Sequence, residues 1–133
     1  MLNFELQIFI NKKVADHNDF GKKGEEIAKN YLAEKGYLIL ESNWTIGKLE
    51  VDIIAKTKDF IVFIEVKTRS SSYIIEPEAS VNRTKQKNII RAANKYIVWN
   101  KIQDEARFDI ITVLGSDEKY IITHIEDAFY PTL

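Results

Sequence analysis

The chain has 133 residues, 45% of them hydrophobic and 29% charged, with 19 basic against 20 acidic side chains and no cysteine. These proportions suit a single globular domain that buries about two thirds of its unfolded surface, and they exclude an intrinsically disordered chain. Near-neutral charge excludes a global positive field for nucleic acid, so such a partner needs a local patch. The lack of cysteine excludes disulfides, thiolate metal sites and cysteine nucleophiles.

Residues 1–18 read as an N-terminal extension ahead of one domain at 19–133. Phe4, Leu6, Ile8, Phe9 and Ile10 allow a short strand or a helical turn before Asn11-Lys12-Lys13 interrupts them, and packing on the domain is the expected outcome. The first residues lack a basic n-region and no run reaches membrane-spanning length, so the expectation is a cytoplasmic protein with no membrane partner. His17 stands alone and is given no chemical role.

Asn18-Asp19 offers an N-cap for a helix from Phe20 or Gly21 to Lys35, with Gly36 as the C′ residue. Its apolar face is Ile27, Ala28, Tyr31 and Leu32. At about 100° per residue Gly24 falls in the middle of that face, where a missing side chain permits close packing on a sheet. Glu25 lies on the flank of the same face, and by itself reads as a first-turn acid at the positive end of the helix dipole. A first strand from Tyr37 to Thr45 leads through Ile46-Gly47-Lys48 into a hairpin.

That hairpin joins Glu50-Val51-Asp52-Ile53-Ile54-Ala55 to Phe60-Ile61-Val62-Phe63-Ile64-Glu65-Val66-Lys67. A four-residue loop from Thr57 to Phe60 sets Lys56 opposite Ile61, Ile54 opposite Phe63, Asp52 opposite Glu65 and Glu50 opposite Lys67. The period of two then places Val51, Ile53, Ala55, Val62, Ile64 and Val66 on one apolar face. Facing carboxylates cost stability, and a bound Mg²⁺ would offset that cost, since it takes hard oxygen ligands and commonly one or two carboxylates. With Lys67 two residues beyond Glu65 on the same face, the group suits metal-assisted phosphodiester hydrolysis. The acids hold the cation, the Val66 carbonyl is a further candidate ligand, and the lysine orients water or steadies developing charge. Glu50 is left out of the metal site as the ion-pair partner of Lys67.

Ser70-Ser71-Ser72 reads as a surface loop that Pro77 closes. A second helix runs from about Asn82 or Thr84 to Trp99, with Ile89, Ala92, Ala93, Tyr96 and Ile97 inside and Arg83, Lys87, Arg91 and Lys95 as an i, i+4 stripe outside. Such a stripe is most simply a solvated face. Arg83, Lys87 and Arg91 are also the candidate contacts to a phosphate backbone. Lys85 and Gln86 lie on the edges of the apolar face, within reach of the hairpin's polar end. Strands Arg107–Leu114 and Lys119–Ile125 follow, joined at Gly115-Ser116-Asp117, and Glu126–Tyr130 is expected to fold its aromatics onto the core. A helix between the third and fourth strands implies a parallel crossover and a mixed sheet.

Taken together, Gly21-x-x-Gly24-Glu25-x-x-Ala28, Tyr37, Asn43-Trp44, Glu50 to Ala55, Val62 to Arg69, Pro77-x-Ala79, Lys85-Gln86, Arg107-Phe108-Asp109 and His124-Ile125-x-x-Ala128-Phe129 resemble the YraN-like family of predicted endonucleases. The resemblance runs from Gly21 to the C-terminus. Two departures are Lys48-Leu49 after Gly47, where the family usually has glycine directly before the Glu-x-Asp segment, and Glu76 before Pro77. That family resembles the restriction-endonuclease-like PD-(D/E)xK superfamily, akin to archaeal Holliday junction resolvases. The resemblance implies an α/β fold with a restriction-endonuclease-like core, a central five-stranded mixed sheet flanked by helices. It further implies a Mg²⁺- or Mn²⁺-dependent endonuclease acting on DNA, branched or otherwise structured, with Glu25, Asp52, Glu65, Lys67 and Gln86 as catalytic positions and Asp52 and Glu65 on the metal. A catalytically weak nucleic-acid-binding module of the same fold is the alternative, and a resolvase-like role would suit a symmetric homodimer.

Overall fold

The structure, a computed structural model, describes residues 3–10, 20–70, 81–116 and 119–131. Its elements are β1 (Asn3–Ile10), α1 (Phe20–Glu34), β2 (Leu38–Ile46), β3 (Leu49–Lys56), β4 (Phe60–Ser70), α2 (Arg83–Trp99), β5 (Glu105–Gly115) and β6 (Lys119–Phe129). The strands form one sheet in the order β1-β6-β5-β4-β3-β2, in which β4 and β5 are parallel and every other neighbour is antiparallel. The fold is α/β, and the five strands expected after residue 36 are all present as β2 to β6. Residues 3–10 add a sixth at the β6 edge, with Phe4 opposite Ile125 and Ile10 opposite Lys119. No helix among the described residues is long and apolar enough to cross a membrane.

Each helix covers one face of the sheet. Ile27, Ala28, Tyr31 and Leu32 of α1 pack on Ile53, Ala55, Val62, Ile64, Val66, Ile111 and Val113. Ile89, Ala92, Ala93 and Tyr96 of α2 pack on Val51, Ile54, Ile61, Phe63, Phe108, Ile110 and Phe129. The period of two therefore holds along β4. On β3 it breaks at Asp52: Val51 joins the α2 layer with Ile54, not the α1 layer with Ile53 as the alternation predicts. Opposite this point, between the pairs Ser42–Ile53 and Trp44–Val51, Asn43 adopts a left-handed φ of 51° and interrupts the regular pleat.

The helix ends follow local chemistry. Gly36, at φ 93°, closes α1, and the Tyr37 N–H donates to the Leu32 carbonyl at 3.0 Å. Asn82 caps α2 by accepting from the Lys85 N–H at 2.9 Å. The Asn18-Asp19 cap, His17, the loop after Ser70, Pro77 and the Asp117 turn position lie outside the described residues.

Gly24 is buried against Thr68, so α1 lies directly on the C-terminal end of β4. A methyl group added there would overlap Thr68 Oγ1 and sit 3.1 Å from its Cγ2. Because a β-branched side chain has little freedom to move aside, Gly24→Ala is expected to destabilise by about 1–3 kcal/mol despite alanine's better helix propensity, as read from urea denaturation. Coupled replacement of Thr68 by serine should recover part of the loss.

Candidate active site

The hairpin register is the one its turn length dictates. Thr57 N–H bonds the Phe60 carbonyl at 2.9 Å, and the ladder runs Lys56–Ile61, Ile54–Phe63 and Ile53–Ile64. It ends there, although both strands continue. Where the next backbone bonds would fall, the Val66 N–H instead donates to Asp52 Oδ2 at 2.8 Å. The Asp52 side chain thus occupies the gap between the strands, facing Glu65.

Glu65 is 4% exposed, and its Oε2 has two ammonium groups at 3.7 Å, Lys67 Nζ from its own strand and Lys85 Nζ from the first turn of α2. Its Oε1 is buried with no hydrogen-bond partner. Burial, followed by the nearby Asp52 carboxylate, pushes the Glu65 carboxyl up to about 8, with the two lysines opposing the shift. Glu25 approaches from α1. Burial, then the charges of Asp52 and Glu50, raise its carboxyl above the ordinary value while Asn43 and Lys29 oppose, and its Oε1 is likewise shut off without a partner.

The structure thus gathers Glu25, Asp52, Glu65 and Lys67 at one end of the sheet. Lys85 joins them, as its place on the edge of α2 allows. The left-handed Asn43 beside Glu25 has no pattern of its own in the sequence. Two expected partnerships are not formed. Lys67 pairs with Glu65, not with Glu50, which is exposed and lies near Glu25. Gln86 donates its amide to the Val81 carbonyl at 2.9 Å and makes no hydrogen bond to Asp52, Glu65 or Lys67. It fixes the entry to α2 instead.

Arg83, Lys87 and Arg91 are exposed and, among the described residues, form no ion pair. They line a groove of about 380 Å³ with Ile90, Tyr130 and Pro131. The apolar pattern puts Tyr130 on the core with Phe129; only Phe129 is buried, and Tyr130 is 66% exposed.

The donor set tests whether a cation fits. No group of three Asp, Glu or His side chains is gathered for one among the described residues. Half-buried Asp52 and buried Glu65 nevertheless present hard oxygens to one another, and a buried carboxylate oxygen without a donor is what a divalent cation would satisfy. The residues fit Mg²⁺ or Mn²⁺ with the remaining positions left to water.

The raised Glu65 carboxyl has a thermodynamic consequence. Between the ordinary glutamate value and about 8 the folded state holds a proton that the unfolded chain has released, so stability falls as pH rises through this window. In EDTA the protein should be less stable at pH 9 than at pH 5.5, by on the order of 3 kcal/mol from this group. Thermal melts should show a flatter pH dependence in Glu65→Gln and a Mg²⁺-dependent gain in the parent alone.

The sequence profile described as uncharacterised protein family UPF0102 matches residues 24–113. The UPF0102 protein FP2501 of Flavobacterium psychrophilum is 45% identical over 117 residues, covering 88% of this chain and 98% of its own. The UPF0102 protein of Bacteroides thetaiotaomicron is 46% identical over 120 residues, 90% of this chain and 99% of its own. That of Phocaeicola vulgatus is 43% identical over the same length, 120 residues, with coverage of 90% and 99%. The matched segment holds Glu25, Asp52, Glu65, Lys67 and α2, and on this match the chain belongs to family UPF0102, the YraN family whose motifs its sequence resembles.

Proposed function

We propose that the chain is a metal-dependent endonuclease that hydrolyses phosphodiester bonds in DNA, with branched or otherwise structured DNA as its substrate. The observation that carries this reading is the buried Glu65 Oε1, left without a partner beside Asp52 at the point where the β3–β4 ladder opens. Asp52 and Glu65 would hold a divalent cation there, which would supply Lewis-acid polarisation of the phosphate and a more acidic water.

The chain's own residues do the rest. Asp52 is held in place by the Val66 N–H. Lys67, on the same strand face as Glu65, donates to the attacking water or to the phosphate oxygens as negative charge grows. Lys85 lies at the same distance from Glu65 and adds a second cation facing the phosphate. Glu25 extends the acidic group from the α1 side and positions Asp52 electrostatically. Arg83, Lys87 and Arg91 hold the backbone of the nucleic acid.

A nucleic-acid-binding module of the same fold without useful catalysis is the second reading, favoured by the absence of a three-ligand cluster among the described residues. The test is incubation of purified protein with Mg²⁺ or Mn²⁺ and end-labelled branched, flapped and linear duplex DNA. Strand scission that is stopped by EDTA supports the enzyme. Salt-dependent binding to the same DNA with no scission under any divalent cation supports the module.

A further inference from the structure

We propose that the groove between the first turns of α2 and the segment after β6 binds an unpaired nucleotide, its base stacked on Tyr130 and its phosphates on Arg83, Lys87 and Arg91. The inference rests on the proposed function, in which the ligand is DNA, and specifies the form of DNA the groove accepts.

Tyr130 is held out by its surroundings. Phe129, immediately before it, is 5% exposed and stacks on Phe108 with ring centres 5.4 Å apart. Asp127 takes a left-handed φ of 56°, and its N–H is fixed by Asp109 Oδ1 at 3.0 Å. The β5–β6 register shifts between Phe108 and Ile110, and past the end of β6 Tyr130 and Pro131 line the groove with α2. Pro131 restricts the backbone on the other side. The Tyr130 ring therefore reaches solvent from an anchored backbone, and among the described residues it has no hydrogen bond or ring contact.

Across the groove, Arg83, Lys87 and Arg91 repeat every four residues and span about 12 Å of helix. Three cations with no ion pair among the described residues face one exposed aromatic ring over the apolar floor of Ile90, and this complements a polyanion that carries flat rings. A duplex keeps its bases stacked inside and would use the cations alone. An acidic peptide would likewise leave the ring without a partner. The cavity, about 380 Å³, lies in the usual range for a small bound ligand. Its wall includes Gln86, and the next residue back, Lys85, is the one that reaches Glu65. The groove and the carboxylates thus border the same first turn of α2.

The test uses the full chain in EDTA at low salt. Fluorescence anisotropy follows a labelled single-stranded DNA dodecamer and the corresponding blunt duplex, and a second single strand carries a fluorescent adenine analogue that is quenched on stacking. The wild type is expected to bind the single strand more tightly than the duplex and to quench the analogue. Tyr130→Ala should weaken single-strand binding by about tenfold and abolish the quench while duplex binding is unchanged. Tyr130→Phe should keep both. Replacing Arg83 and Arg91 by Ala should weaken both ligands and flatten the salt dependence. Tyr130→Ala that binds and quenches like the wild type overturns the stacking site while leaving the DNA reading intact. A preference for the duplex, or for a polyglutamate competitor, also overturns it. Wild-type protein that binds neither DNA at low salt overturns this inference and the reading beneath it.

Discussion

Asp52→Asn is expected to lower metal-dependent DNA cleavage by about 10²–10³-fold or more while leaving the fold in place. The asparagine carbonyl can still accept from the Val66 N–H, so the bond that holds the opened strands at 2.8 Å survives. The lost charge is the one that faces Glu65. Without it the Glu65 carboxyl should drift back toward its ordinary value, and the metal-free protein should melt no lower than the parent. Calorimetric titration with Mn²⁺ should show binding to the parent and little to the variant. Lys67→Ala separates the roles: cation binding should persist, since Lys67 carries no ligand oxygen, while cleavage falls to a similar degree. Equal nicking by the parent and both variants after further purification would identify a contaminant and remove the enzyme reading.

Asp109→Ala should cost about 3–5 kcal/mol of stability, the loss that follows when one member of a buried charged network is removed. Asp109 has no solvent exposure. Its Oδ2 accepts from Arg107 Nη2 at 2.8 Å and lies 2.7 Å from His124 Nε2, while Oδ1 accepts from Arg107 Nε at 2.9 Å and from the Asp127 N–H at 3.0 Å. The network continues to α1 through Tyr31 Oη at 3.0 Å from His124 Nδ1, and to the start of β2 through Arg107 Nη2, which donates to Tyr37 Oη at 2.6 Å. Alanine would take two hydrogen bonds from Arg107, leaving it Glu126 and Tyr37, would leave His124 Nε2 without its partner, and would release the Asp127 N–H at the left-handed turn. Guanidinium denaturation of Asp109→Ala and Asp109→Asn should rank the two, with Asn losing less because it keeps one acceptor.

This acid also has the opposite pH sign from Glu65. Burial alone would raise the Asp109 carboxyl, but hydrogen bonds and charge from His124 and Arg107 overcome it and hold the carboxyl below the usual carboxylate range. Its contribution is therefore present above the unfolded carboxylate value and lost as pH falls through the folded one. Glu65 weakens the metal-free protein as pH rises, and Asp109 weakens it as pH falls.

Much of the site was legible because it is local. Turn length fixes the β3–β4 register, and the period of two then puts Glu65 and Lys67 on one face. The helical period places Glu25 and Gly24 on the face of α1 that meets the sheet, and Lys85 on the edge of α2. The departures fall where one residue's conformation or a distant partner decides. The left-handed Asn43 and the break at Asp52 send Val51 to the other layer, a change that alternation cannot register. Glu50 and Lys67 face each other only if the ladder continues, and it stops one pair after Ile54–Phe63. Tyr130 has the same apolar character as Phe129, yet it lies just past the end of β6 and stays exposed while Phe129 packs on Phe108.

By itself the sequence determined the two helices and the strands β2 to β6, the hairpin register from Lys56 to Ile53, the α/β class and the family, all of which depend on contacts between residues near one another along the chain or on motif order. Only the tertiary structure decided that β1 completes the sheet against β6, that Asp109 and His124 form one buried network, and that Glu65 is sealed from water with an oxygen unpartnered. The reason is physical: burial and desolvation are set by what packs from elsewhere, here α1 on one face and α2 on the other. An acid's character as ligand, ion pair or strut follows from those neighbours.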